Sequence, residues 1–74
     1  MQAYRNLSGK SPIVGFQING TEITVEFRGG KRYRYTQFKP GPLHVAEMQR
    51  LAKSGAGLAA YIGRHVQSNY EAIV

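Results

Sequence analysis

Eight consecutive residues, "KRYRYTQF" at 31–38, hold three basic and three aromatic side chains. Cations hold phosphates and flat rings stack on bases. Lys31, Arg32 and Arg34 with Tyr33, Tyr35 and Phe38 therefore have the makings of a nucleic-acid contact. The same alternation suits a half-buried strand, tyrosines on one face and arginines on the other. Other chemistry is thinly supplied. The chain has no cysteine, which removes disulfides, thiolate zinc ligands and a catalytic thiol. His44 and Glu47 have an i, i+3 spacing that can share a metal on a helix, but zinc takes three or four protein ligands and only His65 is left. Ser8, Ser11, Ser54 and Ser68 lie beside no activating base, and no pair of carboxylates marks acid–base work. "GAGLAA" at 55–60 has the spacing of a dinucleotide fingerprint, yet that motif needs a strand before it and a βαβ unit around it. A helix is expected before it here. At most, residues 54–57 lead into a helix start whose free N–H groups suit a phosphate. We expect neither an enzyme nor a cofactor.

Charge points the same way. Ten Lys and Arg stand against four Glu and no Asp, a net charge of +6 in 74 residues. Such a surface favours RNA, DNA, anionic lipid or an acidic protein face. "MQAYRNLSGK" lacks the apolar centre of a secretory signal, and no apolar run approaches the roughly 18 residues that span a bilayer. We expect a cytoplasmic monomer, in a bacterial cell or in the host cytoplasm if phage-encoded, with no membrane contact and no small-molecule substrate.

Turns and parity show which elements place these side chains. "PIVGFQI" enters Asn19-Gly20 and "TEITVEF" leaves it. Asn-Gly is the strongest two-residue hairpin signal. A loop of those two residues pairs Ile18 with Thr21, Phe16 with Ile23 and Val14 with Val25. It gathers Val14, Phe16, Ile18, Ile23, Val25 and Phe27 on one face. The next turn, "FRGGKRYRY", decides how the basic–aromatic string is divided. A Gly29-Gly30 loop would turn Arg32 and Arg34 onto the apolar face, and burying an unpaired guanidinium costs several kcal/mol. A three-residue loop over 29–31 pairs Phe27 with Tyr33, Val25 with Tyr35 and Glu26 with Arg34 instead. Tyr33 and Tyr35 then face the core, and Arg28, Arg32 and Arg34 the open side.

Gly41-Pro42 opens a helix through "LHVAEMQRLAKS", with Val45, Met48, Leu51 and Ala52 on its apolar stripe and Gly55 as its stop. Leu58, Ile62 and Val66 recur every four residues and predict a second helix, in which Gly63 suggests close packing. Ile73 in the tail is expected to cover an edge of the core. Residues 1–11 are polar and read as a flexible N-terminal arm, followed by a single domain over 12–74. The predicted class is α+β: a three-stranded antiparallel meander, then two short helices packed on one face, β-β-β-α-α.

The quoted pieces, in this order, resemble the KTSC domain. That small domain is named from the C-terminus of some lysyl-tRNA synthetases and also occurs free-standing in bacteria and phages. The residues that carry the likeness are "SPIVGF", "ITVEF", the Gly29-Gly30 turn, "YRY", Pro40 after "QFK", and "LAKSGAGLAAYI", over roughly residues 11–70. The resemblance puts the family's Tyr-x-Tyr on Tyr33 and Tyr35, and its Ser…Gly element on Ser54 and Gly57. RNA binding is what has been suggested for that family. Two features depart from its pattern: the first ten residues extend beyond it, and Phe38 with Lys39 precede the proline in place of a small hydrophobic residue.

We therefore expect a small basic, non-enzymatic binding module of the gene-expression machinery, contacting an anionic macromolecular surface such as RNA. Its binding side chains would be Arg28, Lys31, Arg32, Arg34 and Lys39, with Arg5 and Lys10 as a second set. One alternative is a phage-type transcription regulator that binds host RNA polymerase by protein contact and alters initiation or termination. Another is a structural domain with incidental charge.

Overall fold

A computed structural model describes residues 1–74. Five strands, β1 (Gln2–Ala3), β2 (Ile13–Asn19), β3 (Glu22–Phe27), β4 (Arg32–Tyr35) and β5 (Ala72–Ile73), form one antiparallel sheet in chain order. Helix α1 (Pro42–Ser54) and helix α2 (Leu58–Tyr61), which runs on into a π turn over Ile62–Val66, follow β4. The class is α+β with two helices, as the pattern implied, but the sheet has five strands and not three. The core joins Tyr4, Ile13, Phe16, Ile23, Val25 and Tyr35 to Val45, Met48, Ala52, Leu58, Ile62 and Val66.

Both hairpins keep the expected faces while shifting the expected pairs. In the first, Ile18 lies opposite Ile23 and Phe16 opposite Val25. The loop is Gly20-Thr21, and only Gly20 has positive φ, at 61°. That is the demand of a type II′ turn, which needs glycine at its first central position and leaves Asn19 in the strand. In the second, Tyr33 lies opposite Val25 and Tyr35 opposite Ile23. The loop is three residues long, but it is Arg28-Gly29-Gly30, closed by the Phe27 N–H donating to the Lys31 carbonyl at 2.8 Å. Gly29 and Gly30 have φ of 97° and 96°, where a side chain is strained. A shift by two residues preserves parity, so Tyr35 is buried and Tyr33 half-buried, as alternation required. Glu26 consequently faces Arg32, not Arg34.

Val14 departs from its expected place. A bulge between Ile13 and Gly15 turns it outward to 43 % exposure, and Ile13 fills the core position at 1 %. An inserted residue breaks strict alternation, which parity alone cannot foresee.

The expected flexible arm is built into the domain. β1 pairs with β2, Gln2 opposite Phe16. The Tyr4 N–H donates to the Val14 carbonyl at 3.1 Å, and the Tyr4 ring is buried. Arg5 donates to the carbonyls of Lys53 and Ser54 at 2.7 and 3.0 Å. These are unsatisfied acceptors at the C-terminus of α1, where a cation also complements the helix dipole. The Leu7 N–H donates to the Gly55 carbonyl at 2.8 Å. Residues 2–7 are therefore paired with β2 and with the end of α1.

Helix α1 has Pro42 in its first turn and Gly55 at its end, with φ of 82°. Val45, Met48 and Ala52 are its buried face. Gly63 does not mark close packing: a methyl group there would meet no atom within 4 Å. In the tail, Tyr70 and not Ile73 seals the core edge. Its ring lies 4.7 Å from Tyr33 and 6.4 Å from Tyr35, while Ile73 pairs through its backbone in β5 and is 60 % exposed.

Candidate polyanion-binding surface

The proposed cations fall into three settings. Arg32 and Arg34 lie on the open face of β4, and each has a carboxylate. Arg32 is 3.8 Å from Glu26, and the Arg34 Nε donates to Glu71 Oε1 at 2.9 Å. The tail supplies Glu71 because β5 pairs with β4. Its two-residue strand left no alternation to read in the sequence.

The second setting is the end of the sheet where β3 turns into β4. Arg28 leaves the turn and donates to the Ser11 carbonyl at 3.3 Å. Its own backbone N–H donates to the Pro12 carbonyl at 2.7 Å. This holds residues 11–12 against the hairpin, so Lys10, next to Ser11, lies at the same end of the sheet as Arg28 and exposed Lys31. None of these three cations pairs with a carboxylate. Beside Lys10 is a depression of about 320 Å³ between residues 8–12 and the start of α2. Tyr4, Ser8, Ser11, Pro12 and Gly57 contribute to its wall, and no carboxylate does. Lys10, a secondary candidate in the sequence, thus joins the main cluster. Arg5 leaves it, committed to the end of α1.

The third setting is the loop from β4 to α1. Lys39 sits here, at the opposite end of β4 from Lys31. Thr36 is buried and organises the loop. Its N–H donates to the Lys39 carbonyl at 2.8 Å, and its carbonyl accepts from the N–H groups of Lys39 and Gly41 at 3.0 and 3.2 Å. Its Oγ1 accepts from the N–H groups of Phe38 and Lys39 at 3.2 and 3.3 Å. Phe38 projects from this loop with 86 % of its surface exposed.

His44, Glu47 and Tyr61 on the helices have partners of their own. His44 does not converge with Glu47 and His65 on a common point. Its Nδ1 is 2.7 Å from the Tyr61 hydroxyl, while Glu47 pairs with Arg50. Burial pushes the Tyr61 hydroxyl up from its ordinary range, and the charge of Glu47 adds to this. Tyr35 is raised to about 12, first by burial and then by Tyr33 and Tyr70, and is a neutral core ring at any ordinary pH. No helix is long and apolar enough to cross a membrane. No protein-family model matches the chain, and neither a curated protein nor a solved structure resembles it at a significant level.

Proposed function

We propose that this protein is a small basic binding module of the gene-expression machinery that contacts an anionic macromolecule, RNA foremost. The observation that carries the proposal is the placing of Lys10, Arg28 and Lys31 at one end of the sheet with no carboxylate among their partners. A cluster of like charges held together by backbone contacts needs counter-charge, and a phosphate backbone supplies it at regular spacing. Arg32 and Arg34 extend the surface along β4. Their pairs with Glu26 and Glu71 are half-exposed, and such pairs contribute only about 0–1 kcal/mol, so phosphates can displace the carboxylates. The order of motifs shared with the KTSC domain supports the same reading, and membership of that family is part of the proposal.

Fluorescence anisotropy of a labelled single-stranded RNA against salt tests it. Three phosphate contacts give log K falling against log salt with a slope of about −2, and five give about −3.5. Replacing Arg28 and Lys31 with Ala together should flatten the slope by about 1.4. Absence of binding at low salt would remove the RNA reading. Retention of RNA polymerase under the same conditions would then favour docking on an acidic protein surface.

A further inference from the structure

We propose that Phe38 is a stacking platform for an unpaired base of a single-stranded nucleic acid, with Lys39 on the adjoining phosphate. The inference rests on the polyanion reading above and adds a base-dependent contact to it. Of the three Phe and five Tyr in the chain, Phe38 alone is exposed. Tyr33 and Tyr35 were the rings that the sequence first offered for stacking, and both are held in the fold. The ring that remains in solvent belongs to the same basic–aromatic string. Its backbone is fixed by Thr36, which takes up the N–H groups of Phe38, Lys39 and Gly41. A large apolar ring on a pre-ordered loop loses little further freedom on binding. No acidic residue occurs between 27 and 46, Glu47 after the loop is held by Arg50, and Glu22 on the neighbouring strand makes no ion pair with Lys39. Lys39 makes no side-chain hydrogen bond or ion pair of its own. An exposed flat ring beside a free cation is the pairing that single-strand binders use, because every base has a π face and every nucleotide a phosphate.

Leu43 is 85 % exposed on the first turn of α1 and supplies the competing occupant, an apolar protein pocket that takes both side chains. Charge decides between them. Seven of the ten cations lack a carboxylate partner, the exceptions being Arg32, Arg34 and Arg50, and this favours a phosphate-bearing occupant.

The test titrates the full chain with a labelled ten-nucleotide single-stranded RNA and with an abasic oligonucleotide of equal length. Wild type should bind the base-bearing strand more tightly. Phe38→Ala should weaken that binding about 5- to 150-fold, with abasic affinity and salt slope unchanged. Phe38→Trp should retain it, whereas Phe38→Leu, which keeps apolar bulk without a π face, should lose as much as Ala. Leu43→Ser should bind like wild type. Lys39→Gln should flatten the salt slope by about 0.7. Equal binding of both strands, unaffected by Phe38→Ala, overturns the stacking contact and leaves the polyanion reading standing. Wild-type affinity in Phe38→Leu overturns it in favour of an apolar pocket. Failure of both strands to bind overturns both proposals.

Discussion

Tyr4→Ala tests whether the first residues belong to the folding unit. Tyr4 is 6 % exposed, packs in the core cluster, and stands one residue beyond β1. Its hydroxyl also accepts a long bond, 3.4 Å, from the Leu58 N–H at the start of α2. Truncating a buried aromatic ring costs about 3–5 kcal/mol, since transfer free energy is lost and the cavity closes only in part. A chain of this length has about 4–11 kcal/mol in total, so the loss is a large share of stability. With a urea m-value of about 1 kcal/mol per molar, the unfolding midpoint should fall by about 3 M or leave no folded baseline. Tyr4→Phe isolates the hydroxyl. It should lower stability by about 0.5–1 kcal/mol, because the bond is long and a neutral hydrogen bond contributes little net. Far-UV circular dichroism during urea titration reads both variants. A Tyr4→Ala midpoint within about 0.5 M of wild type would show that residues 1–11 lie outside the cooperative unit.

Four further outcomes are expected. Ile13→Ala should cost about 2–5 kcal/mol and Val14→Ala less than about 1 kcal/mol by urea unfolding; the reverse order would place the bulge wrongly. Gly63→Ala should raise stability by about 0.4–1 kcal/mol, since its φ is not positive and a methyl group there meets open space. Glu71→Gln frees Arg34 and raises the net charge from +6 to +7, so it should tighten RNA binding at low salt while changing stability by no more than about 1 kcal/mol. Tyr35 is raised in the fold from about 10 to about 12, so the unfolded chain loses that proton first. The stabilisation is therefore complete below pH 10 and falls as pH climbs from 10 to 12, by about 2–3 kcal/mol, and Tyr35→Phe should flatten that decline in alkaline urea titrations.

The sequence was most informative where several residues had to agree. Three strands with a buried face must satisfy parity at every position, and a wrong turn length would have buried Arg32 and Arg34. That conflict located Tyr33 and Tyr35 correctly even though both turns were placed imprecisely. A two-residue error in register leaves every face unchanged, so hydrophobic alternation cannot detect it. Only the φ demands of Gly20, Gly29 and Gly30 fix it. The edge strands failed for a different reason. β1 and β5 are two residues each, too short to show a period. Their place in the sheet comes from long-range contacts of Tyr4, Arg5 and Tyr70, whose partners are 30 or more residues away. The candidate surface was legible in residue type but not in arrangement. Lys10 comes to the Arg28 end because Ser11 and Pro12 extend the pairing of β2 with β3, and Arg34 gains Glu71 only because the tail folds back.

Three of the four acidic residues pair with a cation, and the fourth, Glu22 at the start of β3, makes no ion pair. Glu47 is occupied by Arg50 on α1, while Glu26 pairs with Arg32 and Glu71 with Arg34 on β4. Cations without a carboxylate partner then lie at both ends of β4, with Lys10, Arg28 and Lys31 at one and Lys39, on the side of Glu22, at the other. β4 has four residues, so Arg32 and Tyr35 are separated by three rises, about 10 Å. The cations at the two ends lie beyond the strand's own length, and so more than about one Debye length apart at 0.1 M salt, where a polyanion joins them only by spanning both. A short polyanion that reaches both ends also passes Arg32 and Arg34, and in displacing their carboxylates it converts two neutral pairs into phosphate contacts. Affinity should then rise more steeply with strand length than three cations at one end could explain. A plot of affinity against oligonucleotide length that levels off at three phosphates would confine binding to the Arg28 end. A further rise, lost in Lys39→Gln, would join the two.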